Sequence, residues 1–340
     1  MSTAPETAVL DRRTRPLRDL RVSVTDRCNF RCPYCMPRDA FGAQHRFLPR
    51  AEILRFEEIA RVVRAATELG LNKVRLTGGE PLLRAELPEL VRMLAGLPGL
   101  DLALTTNGSL LAEHAAPLAA AGLRRVTISL DALDRDVFQR MSDAAVPVDA
   151  VLAGIDAARA VGLAPIKINC VVRRGVNEGA VLELARRFRG TGIQVRFIEF
   201  MDVGMTNRWT GADVVPAREI VARVDAEFPL EPIDAAYPGE VARRYRYRDG
   251  AGEIGVIASV SQPFCGDCTR ARLSADGHLY TCLFAGRGVD LRPVLRGAAD
   301  GEAALRELLA RTWRARDDRY SEIRRRGLAR PKIEMSYIGG

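Results

Sequence analysis

The feature that most constrains the fold is an alternation that runs from residue 20 to about residue 228. Short apolar, β-branched runs are followed by a turn and an amphipathic stretch, six times over. The strand candidates are 20–26, 73–77, 101–105, 125–130, 165–172 and 194–200, with helical stretches at 56–69, 86–95, 112–120, 148–160 and 180–188 between them. Gly70, Gly122, Gly162 and Gly190 follow helical stretches, where a helix C-terminus favours glycine. Regular βα alternation requires a parallel sheet with right-handed crossovers. Six units fall short of the eight that close a barrel. The expected fold is therefore α/β, a partial (β/α)6 TIM-like barrel over residues 1–228. Past that point Pro229, Pro232, Pro238 and Gly239 break the pattern, and two β-like runs (244–248 and 253–259) and a helical stretch (302–314) follow. Residues 229–340 are expected to form a β-containing C-terminal region.

In a βα barrel the chemistry gathers where the strands end. Each strand should then deliver polar or glycine-rich residues to one rim. The six deliver a cysteine-rich loop, Thr77-Gly78-Gly79-Glu80, Thr105-Thr106-Asn107-Gly108, Ser129 with Asp131, Lys167 with Asn169, and Glu199 with Met201. Gly78 and Gly79 lack Cβ atoms and would let backbone approach a ligand closely. Glu80 reads as a group that orients a ligand's amino end, or equally as half of a loop salt bridge.

The cysteines carry the most specific chemistry. Cys28, Cys32 and Cys35 are spaced CxxxCxxC directly after the first strand; Cys265, Cys268 and Cys282 form a second trio, and Cys170 lies alone in an apolar run and reads as inert core. Three thiolates from one tight loop can hold three irons of a cubane cluster and leave the fourth iron open, whereas fully ligated clusters usually take four cysteines. A structural zinc site is the other reading of either trio, with His45 the one nearby candidate for a fourth ligand at the first. Residues 1–19 hold no apolar signal core and no apolar run reaches spanning length, so a soluble, cytoplasmic protein is expected.

A net charge of +8 favours an anionic partner, either polyphosphate or nucleic acid, although the runs 12–18 and 324–330 read as solvated surface. Asp276-Gly277 is a two-residue hairpin signal that returns Cys282 towards Cys268. Arg270 and Arg272 share one face of that hairpin's first strand, suited to gripping phosphates. A strict two-residue register would put Cys282 opposite Ala271, on the face away from the arginines, so the loop must bend for arginines and trio to meet. The chain ends in Gly339-Gly340, slim enough to thread a crowded channel or simply frayed.

CxxxCxxC with an aromatic before the last cysteine resembles the signature of radical S-adenosylmethionine (SAM) enzymes. The wider set resembles the GTP 3′,8-cyclases of molybdenum cofactor biosynthesis from about residue 16 to the terminus: CxxxCxxC, TGGEP on the second strand, CxxCxRxRxS, Cys282 and a terminal Gly-Gly. The resemblance implies two [4Fe–4S] clusters facing each other, one on Cys28, Cys32 and Cys35 and one on Cys265, Cys268 and Cys282. It implies SAM contacts at Tyr34, Gly79, Ser129 and Met201, and GTP contacts at Arg21, Arg75, Thr105, Lys167, Arg270 and Arg272, with Arg196 on the sixth strand a further candidate. Gly339 and Gly340 match the tail that enters the site in this family. The implied reaction cleaves SAM to methionine and a 5′-deoxyadenosyl radical, which takes the C3′ hydrogen of GTP; the carbon radical then attacks C8 of the guanine. The product would be (8S)-3′,8-cyclo-7,8-dihydroguanosine 5′-triphosphate, passed on to cyclic pyranopterin monophosphate synthase. An electron donor (flavodoxin or similar) is implied, with no nucleic-acid or membrane partner, in a monomer or homodimer. The rival readings are a peptide-acting radical SAM enzyme with an auxiliary cluster, which needs neither the Arg270/Arg272 pair nor the diglycine end, and a basic zinc protein that binds nucleic acid.

Overall fold

The structure, a computed structural model, describes residues 8–297, 301–324 and 331–339. Gly340 and residues 325–330 of the basic run lie outside the described residues. The six expected strands are present as β1 (Asp19–Ser23), β2 (Lys73–Thr77), β3 (Asp101–Thr106), β4 (Arg125–Ser129), β5 (Ile166–Val172) and β6 (Gln194–Glu199). They pair in parallel in sequence order. Helices Phe56–Thr67, Leu87–Ala95, Leu111–Ala120, Val148–Ala160 and Ala180–Phe188 fall where their apolar spacing places them. The glycines after four of them, Gly70, Gly122, Gly162 and Gly190, have φ of +101°, +105°, +77° and +76°, the left-handed conformation that ends a helix.

The C-terminal region extends the same sheet instead of forming its own layer. Its strands are β7 (Leu230–Ile233), β8 (Arg243–Tyr247), β9 (Glu253–Ile257), β10 (Arg270–Leu273), β11 (His278–Tyr280) and β12 (Val289–Asp290). The sheet order is β12-β11-β10-β1-β2-β3-β4-β5-β6-β9-β8-β7. Strand β10 lies parallel on the outer edge of β1, and β9 lies parallel on the outer edge of β6. Antiparallel strands then finish both ends, and the sheet curves as a partial barrel that stays open. The proline-marked break holds β7, whose Pro232 is tolerated because β7 is an edge strand with β8 as its one neighbour.

Side-chain alternation along each strand separates two environments. Leu20, Val22, Val74, Leu76, Leu104, Val126, Ile128, Ile168, Cys170, Val195, Phe197, Val256 and Leu273 form the continuous apolar core on one face. Arg21, Arg75, Thr105, Ser129, Asn169, Arg196, Arg270 and Arg272 occupy the alternate positions and face a shared cavity. A parallel sheet buried on both faces ordinarily reads as near-continuous apolar strands. The polar half of the alternation here marks an interior reserved for something charged.

One local expectation is corrected and another is extended. The β10–β11 turn has three residues, 275–277, because Leu273 pairs with Leu279 and the Ser274 N–H donates to the His278 carbonyl at 2.9 Å. Gly277, at φ +88°, supplies the left-handed residue such a loop needs. The extra residue shifts the register by one, so continuing the pairing past Arg272–Tyr280 brings Cys282 opposite Arg270 rather than Ala271. The extension concerns Gly78 and Gly79, which line the cavity and whose missing Cβ atoms also make room for protein. A Cβ on Gly78 would stand 2.4 Å from the Thr25 carbonyl, and one on Gly79 would stand 2.2 Å from the Arg27 carbonyl. The closeness lets the Gly79 and Glu80 N–H groups donate to Thr25 and Arg27 at 2.9 and 2.7 Å, seating the first cysteine loop on β2.

No helix among the described residues is long and apolar enough to cross a membrane. One prediction follows from the glycine packing. Gly79→Ala is expected to destabilise the chain by about 2 kcal/mol through overpacking against backbone that cannot yield, read as a lower denaturant midpoint at unchanged slope.

Candidate active site

Both cysteine trios open into one cavity of about 270 Å³ at the C-terminal ends of the strands. Cys28, Cys32 and Cys35 stand on the loop leaving β1, tightened by a Cys35 N–H bond to the Cys32 carbonyl at 2.9 Å. Cys265 and Cys268 sit in the turn before β10, and Cys282 follows β11. All seven cysteines are free thiols, and Cys170 is fully buried in the apolar core.

The two trios meet different electrostatics. Burial, and then the nearby Glu80, push the Cys28 thiol up to about 12. Burial also raises Cys32 and Cys35 well above the ordinary thiol value. At Cys268 burial pulls upward too, but Arg270 and Arg316 outweigh it and bring the thiol down to about 6. Arg270 Nη2 donates to Cys268 Sγ at 3.5 Å, so arginine and second trio meet directly.

Around the first trio the rim is tied by carboxylates. Tyr34 OH donates to Asp131 Oδ2 at 2.7 Å, and the Val171 N–H donates to Asp131 Oδ1 at 2.8 Å. Glu80 accepts from the Leu82 N–H at 3.0 Å, Thr106 Oγ1 at 2.7 Å and the Asn107 N–H at 2.7 Å. Glu80 is thus a clamp between the β2 and β3 loops, held among the described residues by neutral donors and by no salt bridge. Burial raises it to about 7 and Asp131 to about 6. Ser129 and Met201 line the same end, with Ser259 Oγ 3.2 Å from the Met201 sulfur.

Strand register places the cations side by side. Arg272 pairs with Arg21 across β10–β1, and Arg21 pairs with Arg75 across β1–β2, a lateral row at the spacing of neighbouring strands. Arg75 Nη1 donates to Thr105 and Thr127, both at 3.0 Å, and Arg196 Nη2 donates to Thr127 at 3.2 Å. Burial, then the Arg272 and Arg270 charges, lower Arg21 well below the usual guanidinium range. Burial and Arg270 bring Arg272 to about 10, and burial and Arg75 bring Arg196 to about 9. Among the described residues none of Arg21, Arg75, Arg196, Arg270 and Arg272 forms an ion pair; Arg21 Nε, Arg196 Nε and Asn169 Oδ1 are buried without any hydrogen-bond partner. Buried charge left this way is costly unless a ligand of opposite sign completes it.

Of the sequence-derived candidates, the six paired-trio cysteines, Tyr34, Gly79, Ser129, Met201, Arg21, Arg75, Thr105, Arg196, Arg270 and Arg272 all line the cavity. Lys167 does not: it lies two residues before Asn169 on the same face of β5, below the wall, where burial and then Arg196 bring its amine to about 8. Gly339 is packed beneath the rim. A Cβ there would meet Thr77 Cγ2 at 2.3 Å, its φ is +77°, and the preceding Ile338 carbonyl accepts from Arg272 Nη1 at 3.4 Å. The short helix Met335–Ile338 brings Met335 and Ser336 to the cavity wall. Thr127, Arg15 and Arg316 were not singled out from sequence. Thr127 was reachable by stepping back two residues from Ser129; the buried arginines sat inside or near runs that read as solvated.

An open βα sheet carrying a CxxxCxxC loop at its C-terminal rim defines the chain as a radical SAM protein. Residues 22–188 match the Radical SAM superfamily, and residues 193–322 match Molybdenum Cofactor Synthesis C. The fold resembles the crystal structure of Streptococcus suis SuiB bound to precursor peptide SuiA, with TM-score 0.64 and 15% identity over 91% of this chain and 67% of that one; this likeness concerns the fold alone. Three curated relatives carry the name GTP 3′,8-cyclase. Those of Acidothermus cellulolyticus, Xanthomonas axonopodis pv. citri and Staphylococcus carnosus are 58%, 54% and 46% identical, covering 96%, 99% and 98% of this chain and 97%, 100% and 99% of theirs. The chain belongs to the GTP 3′,8-cyclase family.

The raised Glu80 carboxyl predicts a pH dependence. A folded value near 7 against an ordinary 4.5 means that the folded form binds the extra proton. Its contribution to stability is complete below about 4.5 and is lost as pH rises through about 7. Thermal melts of the metal-free protein should therefore lose stability across that window, and Glu80→Gln should flatten the loss whatever its effect on the absolute midpoint.

Proposed function

We propose that this chain converts GTP to (8S)-3′,8-cyclo-7,8-dihydroguanosine 5′-triphosphate, the first step of molybdenum cofactor biosynthesis. The observation that carries the reading is the set of five arginines, buried or half-buried and without an ion pair among the described residues, facing a cavity that also holds two cysteine trios. A triphosphate supplies the anion those guanidiniums lack, and arginine grips phosphate oxygens with paired donors. A peptide substrate offers no comparable charge.

The donor sets fit two [4Fe–4S] clusters, each with three thiolates and one iron left open. Cys28, Cys32 and Cys35 would hold the first, and Cys265, Cys268 and Cys282 the second. When bound, the first cluster supplies the electron that cleaves SAM reductively. Tyr34, fixed by Asp131, would stand with Gly79, Ser129 and Met201 as the frame for SAM. Arg21, Arg75, Arg270 and Arg272 would neutralise the triphosphate, with Thr105 and Thr127 holding Arg75 in place. Arg196 would join them, and Lys167 adds charge below the wall. Residues 1–228 read as the barrel that binds SAM, and residues 229–340 as the part that completes the nucleotide site. The segment reaching Gly339 would exclude water from the rim, as reactive radical chemistry requires. A flavodoxin-like electron donor and cyclic pyranopterin monophosphate synthase are the partners this reading implies, in the cytoplasm, with the protein a monomer or homodimer.

The test is anaerobic reconstitution followed by incubation with SAM, reductant and GTP. The reconstituted chain should carry about eight irons as two four-iron clusters, release 5′-deoxyadenosine and consume GTP; four irons with bound zinc, or no GTP loss, would refute the reading. Arg272→Ala should weaken GTP binding by about 10- to 100-fold, the loss of a charged hydrogen-bonding group, while dithionite-driven SAM cleavage persists. Gly339→Val should lower cyclisation with both clusters loaded, because the added side chain collides with Thr77.

A further inference from the structure

At the back of the second trio lies a buried ionic knot whose Arg15 and Arg316 reach the cavity wall. Asp11 Oδ2 accepts from Arg15 Nε at 2.7 Å and from Arg316 Nη1 at 3.1 Å, and the three side chains are almost wholly shielded from solvent. Asp11 and Arg15 precede β1; Arg316 follows helix Gly301–Arg314. The knot therefore joins the two ends of the chain. Trp313 seals it, donating Nε1 to the Arg15 carbonyl at 2.9 Å beneath the Arg316 guanidinium.

Most of the remaining guanidinium donors go to the segments that carry the second trio, apart from a second Arg15 Nη1 bond to the Asp318 carbonyl at 2.8 Å and Arg15 Nη2, which is buried without a partner. Arg15 Nη1 donates to the Cys265 carbonyl at 2.6 Å. Arg316 Nη1 donates to the Cys268 carbonyl at 2.7 Å, and Arg316 Nε to the Thr281 carbonyl, adjacent to Cys282, at 3.0 Å. Every cysteine of the trio thus has its own carbonyl or its neighbour's held by one of two arginines. The strand ladder cannot do this work, because the β10–β11 pairing runs from Leu273–Leu279 only as far as Arg272–Tyr280. Residues 265–268 and 281–282 lie beyond it, on two separate segments that must present three thiols to one object.

A buried ion triad is a poor device for stability alone, since well-packed apolar side chains often serve as well. Its distinctive property is geometric: planar guanidiniums fixed on one carboxylate direct donors at set angles. We infer that Arg15 and Arg316, fixed by Asp11, are positioning residues that hold the two segments of the second trio in register for its iron–sulfur cluster. They act on the cluster through the cysteine backbone. The inference rests on the reading of the second trio as a cluster site.

The experiment compares wild type, Arg316→Gln, Arg316→Lys and Asp11→Asn after anaerobic reconstitution. It measures iron per chain, the electron paramagnetic resonance of the reduced clusters, 5′-deoxyadenosine release without GTP, and melting temperature. Arg316→Gln should fall from about eight irons to about four, keeping the first cluster and losing the second. Its first-cluster signal and GTP-independent SAM cleavage should match wild type. Asp11→Asn should shift the second signal alone, and Arg316→Lys should recover part of the lost iron by restoring one charged donor. Full iron with an unchanged second signal in Arg316→Gln would overturn the inference. So would loss of both signals together with a collapsed melting transition, which would make the knot a global fastening. A wild-type chain with only four irons, or with zinc on the second trio, would instead overturn the cluster reading itself before any variant is compared.

Discussion

The pairing of β10 with β1 is the contact on which the rest of the site depends. A parallel ladder fixes register residue by residue, and here it sets Arg272 beside Arg21 and Arg270 beside Asp19. The same ladder brings the second trio, on the segments flanking β10 and β11, to the rim where β1 releases the first. A slip of one residue would turn Arg270 and Arg272 into the apolar layer and bring Ala271 and Leu273 to the cavity. The position of the cavity-facing charges is thus decided by backbone hydrogen bonds between strands far apart in the chain. Flexible side chains reaching from loops are not needed to gather them.

The cavity is built under electrostatic tension. Guanidiniums on neighbouring strands repel one another and lose hydration, which is why Arg21, Arg196 and Arg272 are all drawn towards neutrality. Threonine hydroxyls at 105 and 127 relieve part of this by accepting from Arg75 and Arg196, without cancelling any charge. The apolar half of the sheet and its helices hold the arrangement together while the polar half stays incompletely satisfied. An anion entering such a site finds its binding groups already oriented, and little reorganisation remains to be done.

The barrel was legible because alternation of period two and helical spacing are local signals. Helices 148–160 and 180–188 fall at their expected bounds, and most rim residues follow from strand direction, although Lys167 stays below the wall and Glu199 instead accepts from the Ala217, Val260 and Ser261 N–H groups. The cysteine trios and their arginine neighbours were legible because their spacing is specific. The missing parts depend on distant partners. Strand β7 hides in a proline-marked break because edge position, which excuses Pro232, is a property of the whole sheet. Arg15 read as surface charge because its buried partner Asp11 becomes a pair only once Arg316 packs against both. The hairpin register failed by one residue because Ser274 and Asp276 form a local network that lengthens the turn, a choice the Asp-Gly dipeptide alone does not decide.

The two outermost strands of the six-unit core, β1 and β6, have their free edges covered by β10 and β9 respectively, both supplied late in the chain. During synthesis those edges emerge well before their covers do. A nascent or truncated chain ending near residue 228 would display two rows of unsatisfied backbone donors and acceptors at once, the surface through which strands recruit other strands. The last third of the chain therefore acts as a guard against misassembly as well as a wall of the chamber, and shortened versions should be handled as polymerisation hazards rather than as minimal barrels.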